Sequence, residues 1–302
     1  NMNKNGTYLF DRWKTRSKTS WAWRVFKKHN DELMGMYTTF YTSRKFTYNK
    51  LKKDNAQWTD KPNTHFSFSK DWKYGNFDTL EDWSNSFNEL DNWINLNALV
   101  TISSALETYI ATIVLLALES DAGVLFGKAR EIDGIEILKH NKDKYFEPEH
   151  IVESCTKGTW QSRLNSYKKV FGYVPEYLLD HISELEKIRI SRNNIAHSFG
   201  RDIKASRNTG ELTTLPIEKI TDEKLLKLHS IAWKVAKEID NHLFKSHICE
   251  YNAILFYHKL YPSLNKDIHQ SMRAMQFKKA IGQHGDIPAG KEFCKVAYYE
   301  NL

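Results

Sequence analysis

The sequence predicts a mainly α-helical fold, and three observations carry that expectation. Turn formers are scarce: 13 Gly and 6 Pro among 302 residues, about 4% and 2% against usual values of about 7% and 5%. Few turns over so long a chain mean long helices rather than many short strands. Apolar residues also recur at helical spacing in separate stretches. Finally, 41% hydrophobic and 27% charged residues are globular values, which exclude a collagen, a coiled coil or a disordered tail. The length suits one large domain or two ordinary ones.

Residues 1–88 read as a basic, aromatic-rich extension of mixed structure. The run Trp21 to Phe26 suits either a strand or a helical turn. Tyr37 to Tyr48, rich in Thr, Tyr and Phe, favours a strand. Asn55 to Asn63 reads as a loop. A long helix is expected from about Asp91, because Leu99, Ile102, Leu106, Tyr109, Ile113 and Leu116 fall on one helix face. It should end near Ser120–Gly123. Residues 121–158 are polar and broken by glycines and Pro148, a long connection with room for a short helix.

A second helix is expected over Trp160–Phe171, with Thr159 as its N-cap and Gly172 just past its end. Pro175 suits the first turn of a third helix, whose stripe is Leu178, Ile182, Leu185 and Ile188. Residues 202–219, holding Asn208-Thr209-Gly210, suggest a small hairpin insertion. The last strong helix starts at Thr221. Asp222 and Glu223 lie in its first turn, where negative charge suits the helix dipole. Ile220 and Leu225 are placed for a hydrophobic staple. The expected organisation is an N-terminal region 1–88, a helical domain 89–250, and a C-terminal helical extension and tail 251–302.

The net charge is +7, which favours an acidic partner such as nucleic acid. Its distribution is more informative. Residues 1–53 hold 13 Lys/Arg against 3 Asp/Glu, a balance of +10, so the remaining 249 residues sum to −3. Three scattered cysteines, Cys155, Cys249 and Cys294, form neither a disulfide framework nor a paired metal motif. A reducing cytoplasm is the expected location. No signal peptide is expected from the basic, aromatic N-terminus. The one long apolar stretch, Leu96 to Leu118, contains Glu107. It is expected to be a buried core helix and not a membrane span.

Most signatures of chemistry are missing. There is no phosphate loop, no Gly-x-Gly-x-x-Gly, no Gly-x-Ser-x-Gly and no His-Glu-x-x-His. No metal site and no cofactor are expected. His242 and His247 sit five apart, about 140° around an ideal helix, and are expected on different faces at the surface.

One segment does carry a chemical pattern, Arg192-Asn-Asn-Ile-Ala-His197. If residues 189–197 are helical, Arg189, Asn193 and His197 form one stripe at i, i+4 and i+8, with Arg192 flanking it. That patch presents two guanidiniums, an amide and an imidazole. Arg binds phosphate through a fork of permanently charged donors. His gives or takes a proton near neutral pH. RNA supplies its own nucleophile, the 2′-OH. A second match to the same spacing, Arg24 to His29, lacks the polar residue after Arg and lies in the basic N-terminal run.

The segment resembles the Arg-x(4–6)-His signature of the HEPN superfamily. Its context is similar too: an amphipathic helix precedes it, a long helix follows, and Leu106-Glu107-Thr108-Tyr109 resembles the Leu-Glu-x-Tyr of an earlier family helix. The resemblance covers about residues 90–250. It implies an antiparallel helical bundle that homodimerises and cuts RNA without metal, leaving a 2′,3′-cyclic phosphate. It also implies a toxin or antiphage role. By the same resemblance Arg192 holds the phosphate, His197 is general acid or base, and Asn193 orients the cleft. Glu107 and Arg189 would support them. Family members silenced by modification carry a Tyr two residues after the His; here Phe199 stands there, so that route is not expected. Arg24, Lys27 and Lys28, with Trp21 and Trp23 beside them, are the expected RNA-binding residues. No membrane association is expected, whereas a regulatory protein partner fits this kind of effector. The alternative reading is a non-catalytic nucleic-acid-binding or protein-partner module.

Overall fold

The structure, a computed structural model, describes residues 11–68, 77–139, 148–198, 218–285, 290 and 293–295; the side chains of 197–198 and 283–285 lie outside that description. Helix makes up 77% of the described residues, with no strand among them, so the all-α class holds. The helices are α1 (Trp21–Lys53), α2 (Leu80–Ser120), α3 (Gly134–Lys139), α4 (Glu149–Thr156), α5 (Trp160–Phe171), α6 (Glu176–Asp180), α7 (Ile182–Ser198), α8 (Asp222–Leu243), α9 (Tyr251–Leu260) and α10 (Gln270–Gly285). One compact unit comprises Asn1–Lys28, Ala105–Glu186 and Ile231–Leu302; the other comprises His29–Ser104 and Lys187–Ser230.

The expected strand at Tyr37–Tyr48 is corrected: those residues lie inside the 33-residue α1. Burial of Trp23, Phe26, Asn30, Leu33 and Tyr37 recurs at intervals of three and four, the helical period. The β-branched and hydroxyl side chains are accommodated by bonding back along the helix. Thr39 Oγ1 donates to Gly35 O, Thr42 Oγ1 to Thr38 O, Ser43 Oγ to Thr39 O and Thr47 Oγ1 to Ser43 O. Packing therefore overrides the local strand preference. Where it is described, the first region holds α1 and the start of α2 joined by turns and irregular segments, with no strand.

α2 begins eleven residues before the expected start. Thr79 caps it: Asp82 N donates to Thr79 Oγ1 and Thr79 N donates to the Asp82 carboxylate, a reciprocal capping box. The expected stripe Leu99, Ile102, Leu106, Tyr109, Ile113 and Leu116 is buried throughout. Each such side chain contributes roughly 1.5–3 kcal/mol. By length and apolarity α2 could span a bilayer, yet half of its most apolar window is covered by protein.

α5 matches its expected bounds. Thr159 caps it by accepting from Ser162 N, and Gly172 ends it at φ 72°. α8 follows Thr221, whose Oγ1 accepts from Lys224 N, with Ile220 and Leu225 both buried. Beyond α8, Tyr257 of α9 and Phe277 and Ile281 of α10 close a satellite core with Phe293 and Cys294. The three cysteines are free and buried. The expected hairpin at 202–219 falls mostly outside the described residues.

Candidate functional site

α7 carries the Arg–His segment. Leu185, Ile188 and Ile195 form its buried stripe. Arg189, Arg192 and Asn193 are half-buried, while Asn194 and Ala196 are exposed. The helix runs unbroken from Ile182 to Ser198. Arg189, Asn193 and His197 therefore do occupy one helical stripe, with Arg192 beside it. His197 lies in the last turn, and its side chain is outside the described residues. Arg192 turns its Nε away from solvent.

A hydrogen-bonded lattice fixes this half of α7 in its own unit. Ser191 Oγ donates to Glu218 Oε1 at 3.0 Å. Asn92 of α2 donates to Glu218 O and accepts from Ile220 N, both at 2.9 Å. Asn95, one turn further along α2, donates to Ile220 O at 2.9 Å and to Asp222 Oδ1 at 3.1 Å. Two asparagines thus stitch the segment entering α8 onto α2, and Ser191 ties α7 to the same segment. Sequence reasoning missed Asn92, Asn95, Ser191 and Glu218. The available signal was two amides at i, i+3 continuing the face of the Leu99 stripe.

Arg44 completes the lattice. Its guanidinium bridges Asp91 and Asp222, the latter at 2.5 Å. Tyr37 OH donates to Asp222 Oδ1 at 2.8 Å. Burial pushes the Asp91 carboxyl up, partly offset by Arg44. Asp222 ends up below its usual range because bonds from Arg44, Tyr37 and Asn95 outweigh its burial.

The other expected residues lie in the unit containing Asn1–Lys28 and Ala105–Glu186. Glu107 is paired with the buried Arg163 at 3.0 Å. Arg163 also donates to Gly158 O and sits over the Trp160 ring. Lys27 and Lys28 are exposed on α1. Arg24 is half-buried and gives Nη1 to Thr19 O at 3.0 Å. The proposed stacking role of Trp23 is corrected: it is 6% exposed and packed against Trp233 and Phe26, so no base can reach its face.

The histidine expectation is corrected as well. Residues Phe244–Ile248 form a π-helical turn, with Cys249 N donating to Phe244 O. The i→i+5 pattern brings residues five apart onto one face. The rings of His242 and His247 therefore meet, with centroids 5.8 Å apart. His247 is buried and bonds Asp121 through Nδ1 at 2.9 Å; Arg130 N donates to the other Asp121 oxygen at 2.7 Å. Tyr167 OH lies 2.7 Å from His242 Nδ1. Burial raises the Tyr167 hydroxyl and, with His247 beside it, lowers His242 to about 4. The phenol therefore keeps its proton and donates it to a neutral imidazole. This cluster is internally satisfied. Among the described residues no group of three or more His, Cys, Asp or Glu is arranged to hold a metal ion.

No family model matches the chain, and neither a curated protein nor a solved structure matches it.

Proposed function

We propose that this protein is a metal-independent endoribonuclease of HEPN type. The observation that carries the reading is the placement of Arg192, Asn193 and His197 in one unbroken helix, half-buried where described and tied through the adjacent Ser191 to Glu218. In the proposed reaction the RNA 2′-OH loses its proton to an imidazole, and the 2′-oxygen attacks the adjacent phosphorus. The bond from phosphorus to O5′ breaks as a second imidazole gives O5′ a proton. The products are a 2′,3′-cyclic phosphate and a 5′-OH. Arg192 neutralises the charge that builds on the phosphorus oxygens. One chain supplies one motif histidine, so a homodimer supplies the acid and the base together. A toxin or antiphage effector, acting on tRNA or other RNA, fits such an activity. Glu107, bonded to Arg163, serves to hold the fold.

Incubating the protein with tRNA in EDTA, and mapping fragment ends, tests this reading. Cyclic phosphate ends are expected, and a 2′-deoxy substitution at the mapped position should block cleavage there. Cleavage that needs a divalent metal, or that ignores the 2′-deoxy substitution, would contradict it. RNA binding without cleavage would favour the non-catalytic module.

A further inference from the structure

An open pocket of about 470 Å³ lies beside the braced lattice, lined by Arg44, Lys45, Tyr48, Asn49, Asn88 and Asp91. Its walls are α1 and α2 within one compact unit. Part of the wall is already committed. Arg44 is held by Asp91 and Asp222. Tyr48 shares a hydrogen with Ser84 Oγ at 2.9 Å, and its ring packs against Phe87 and Trp83. Those contacts make the wall rigid before anything binds.

The rest of the wall keeps groups that a ligand can reach. Asn49 and Asn88 are exposed, and their side-chain amides make no hydrogen bond among the described residues. Asp91 Oδ1 accepts from Arg44, which leaves Oδ2 open to a donor. Lys45 reaches 4.5 Å from the Tyr41 ring centre, a cation held at an aromatic face. The open groups are thus one carboxylate oxygen, two amides and an ammonium.

We infer that this pocket is a subsite for a guanine ribonucleotide. The guanine edge has two adjacent N–H donors next to a carbonyl acceptor. A carboxylate oxygen takes the donors, and a side-chain amide serves the carbonyl or N7. Lys45 suits the nucleotide phosphate. Adenine puts a ring acceptor where guanine has a donor, and so opposes a carboxylate oxygen. The volume falls within the range of ordinary small-ligand pockets.

The inference rests on the ribonuclease reading for its substrate, and the lattice supplies the connection. From Arg44 bonds run through Asp222 and Asn95 to Ile220, and through Asn92 and Glu218 to Ser191, the residue before Arg192. A base held in the pocket would be held in fixed register with the motif helix. The function named is base preference at one position of the RNA.

Titration of the full chain with GMP and with AMP, followed by NMR, tests the subsite without any cleavage. GMP should bind saturably, and AMP about tenfold or more weakly, as expected when a paired hydrogen-bond contact is lost. N49A/N88A, at exposed positions, should fold normally and lose the preference. D91N should lose it too, with K45A weakening both nucleotides equally. No saturable binding, equal binding of GMP and AMP, or an unchanged preference in N49A/N88A would overturn the proposal. The two readings fail separately. GMP binding by a protein that never cuts RNA would sink the ribonuclease, whereas cleavage without GMP binding would sink the subsite.

Discussion

The α7 segment and the His242–His247 stretch pose the same problem and give opposite answers. In both, the question is whether residues a few positions apart share a face. α7 is regular from Ile182 to Ser198, so 100° per residue places Arg189, Asn193 and His197 in one stripe. The second stretch ends in a π-turn, and the same arithmetic puts its histidines on the wrong faces. The surroundings differ as well. Asp121, Tyr167 and Phe171 occupy the histidine pair, whereas the α7 arginines stand half-open on a braced helix. Burial and satisfied bonds mark the histidine cluster as architecture. Partial exposure on α7 leaves Arg189, Arg192 and Asn193 reachable, as the proposed chemistry requires.

The sharpest way to break this contrast is to mutate both regions. R192A and H197A should each lower RNA cleavage by about 10²–10⁴-fold, the range for a lost acid–base or charge-stabilising group. Their melting temperatures should stay near wild type. D121A should do the reverse. It strips a buried acceptor from His247 and from Arg130 N, costing roughly 3 kcal/mol in urea unfolding. Cleavage per folded molecule should be unchanged. E107A leaves the buried Arg163 without its carboxylate and should likewise cost about 3 kcal/mol. A large loss of cleavage with normal stability in E107A would instead return Glu107 to the site.

The pH dependence sharpens the comparison further. His242 has a folded value of about 4, depressed from an ordinary 6.5. The folded protein then binds fewer protons than the unfolded chain through that window. The stability His242 contributes is present above about 6.5 and is lost as pH falls toward 4. Against H242N, wild type should lose stability over that interval, seen in melts at stepped pH. The smallest effect belongs to the cap of α5, where T159A should cost about 1 kcal/mol by thermal unfolding.

Much of the helical framework was legible because its signals are local. Thr159, Gly172, Thr221 and the Leu99–Leu116 stripe each announce a helix end or face on their own. The first region was misread because Thr, Tyr and Phe favour strands, whereas its burial pattern follows the helical period only when Trp23, Phe26, Leu33 and Tyr37 are taken together. The early start of α2 is encoded locally, in the Thr79-x-x-Asp82 capping box. The Arg–His residues were legible as a pattern on one helix. Their bracing was not, because Asn92 and Ser191 reach Glu218 across 126 and 27 positions of chain. The histidine pair was hidden by a backbone irregularity that residue spacing does not encode.

The most direct measurement is a side-by-side cleavage assay in EDTA with R192A, H197A, H242A and D121N, each scaled to folded protein by circular dichroism. The expected result is cleavage lost in R192A and H197A and retained in H242A and D121N. Cleavage retained in R192A and H197A, or lost only in H242A and D121N, would contradict the assignment of chemistry to α7.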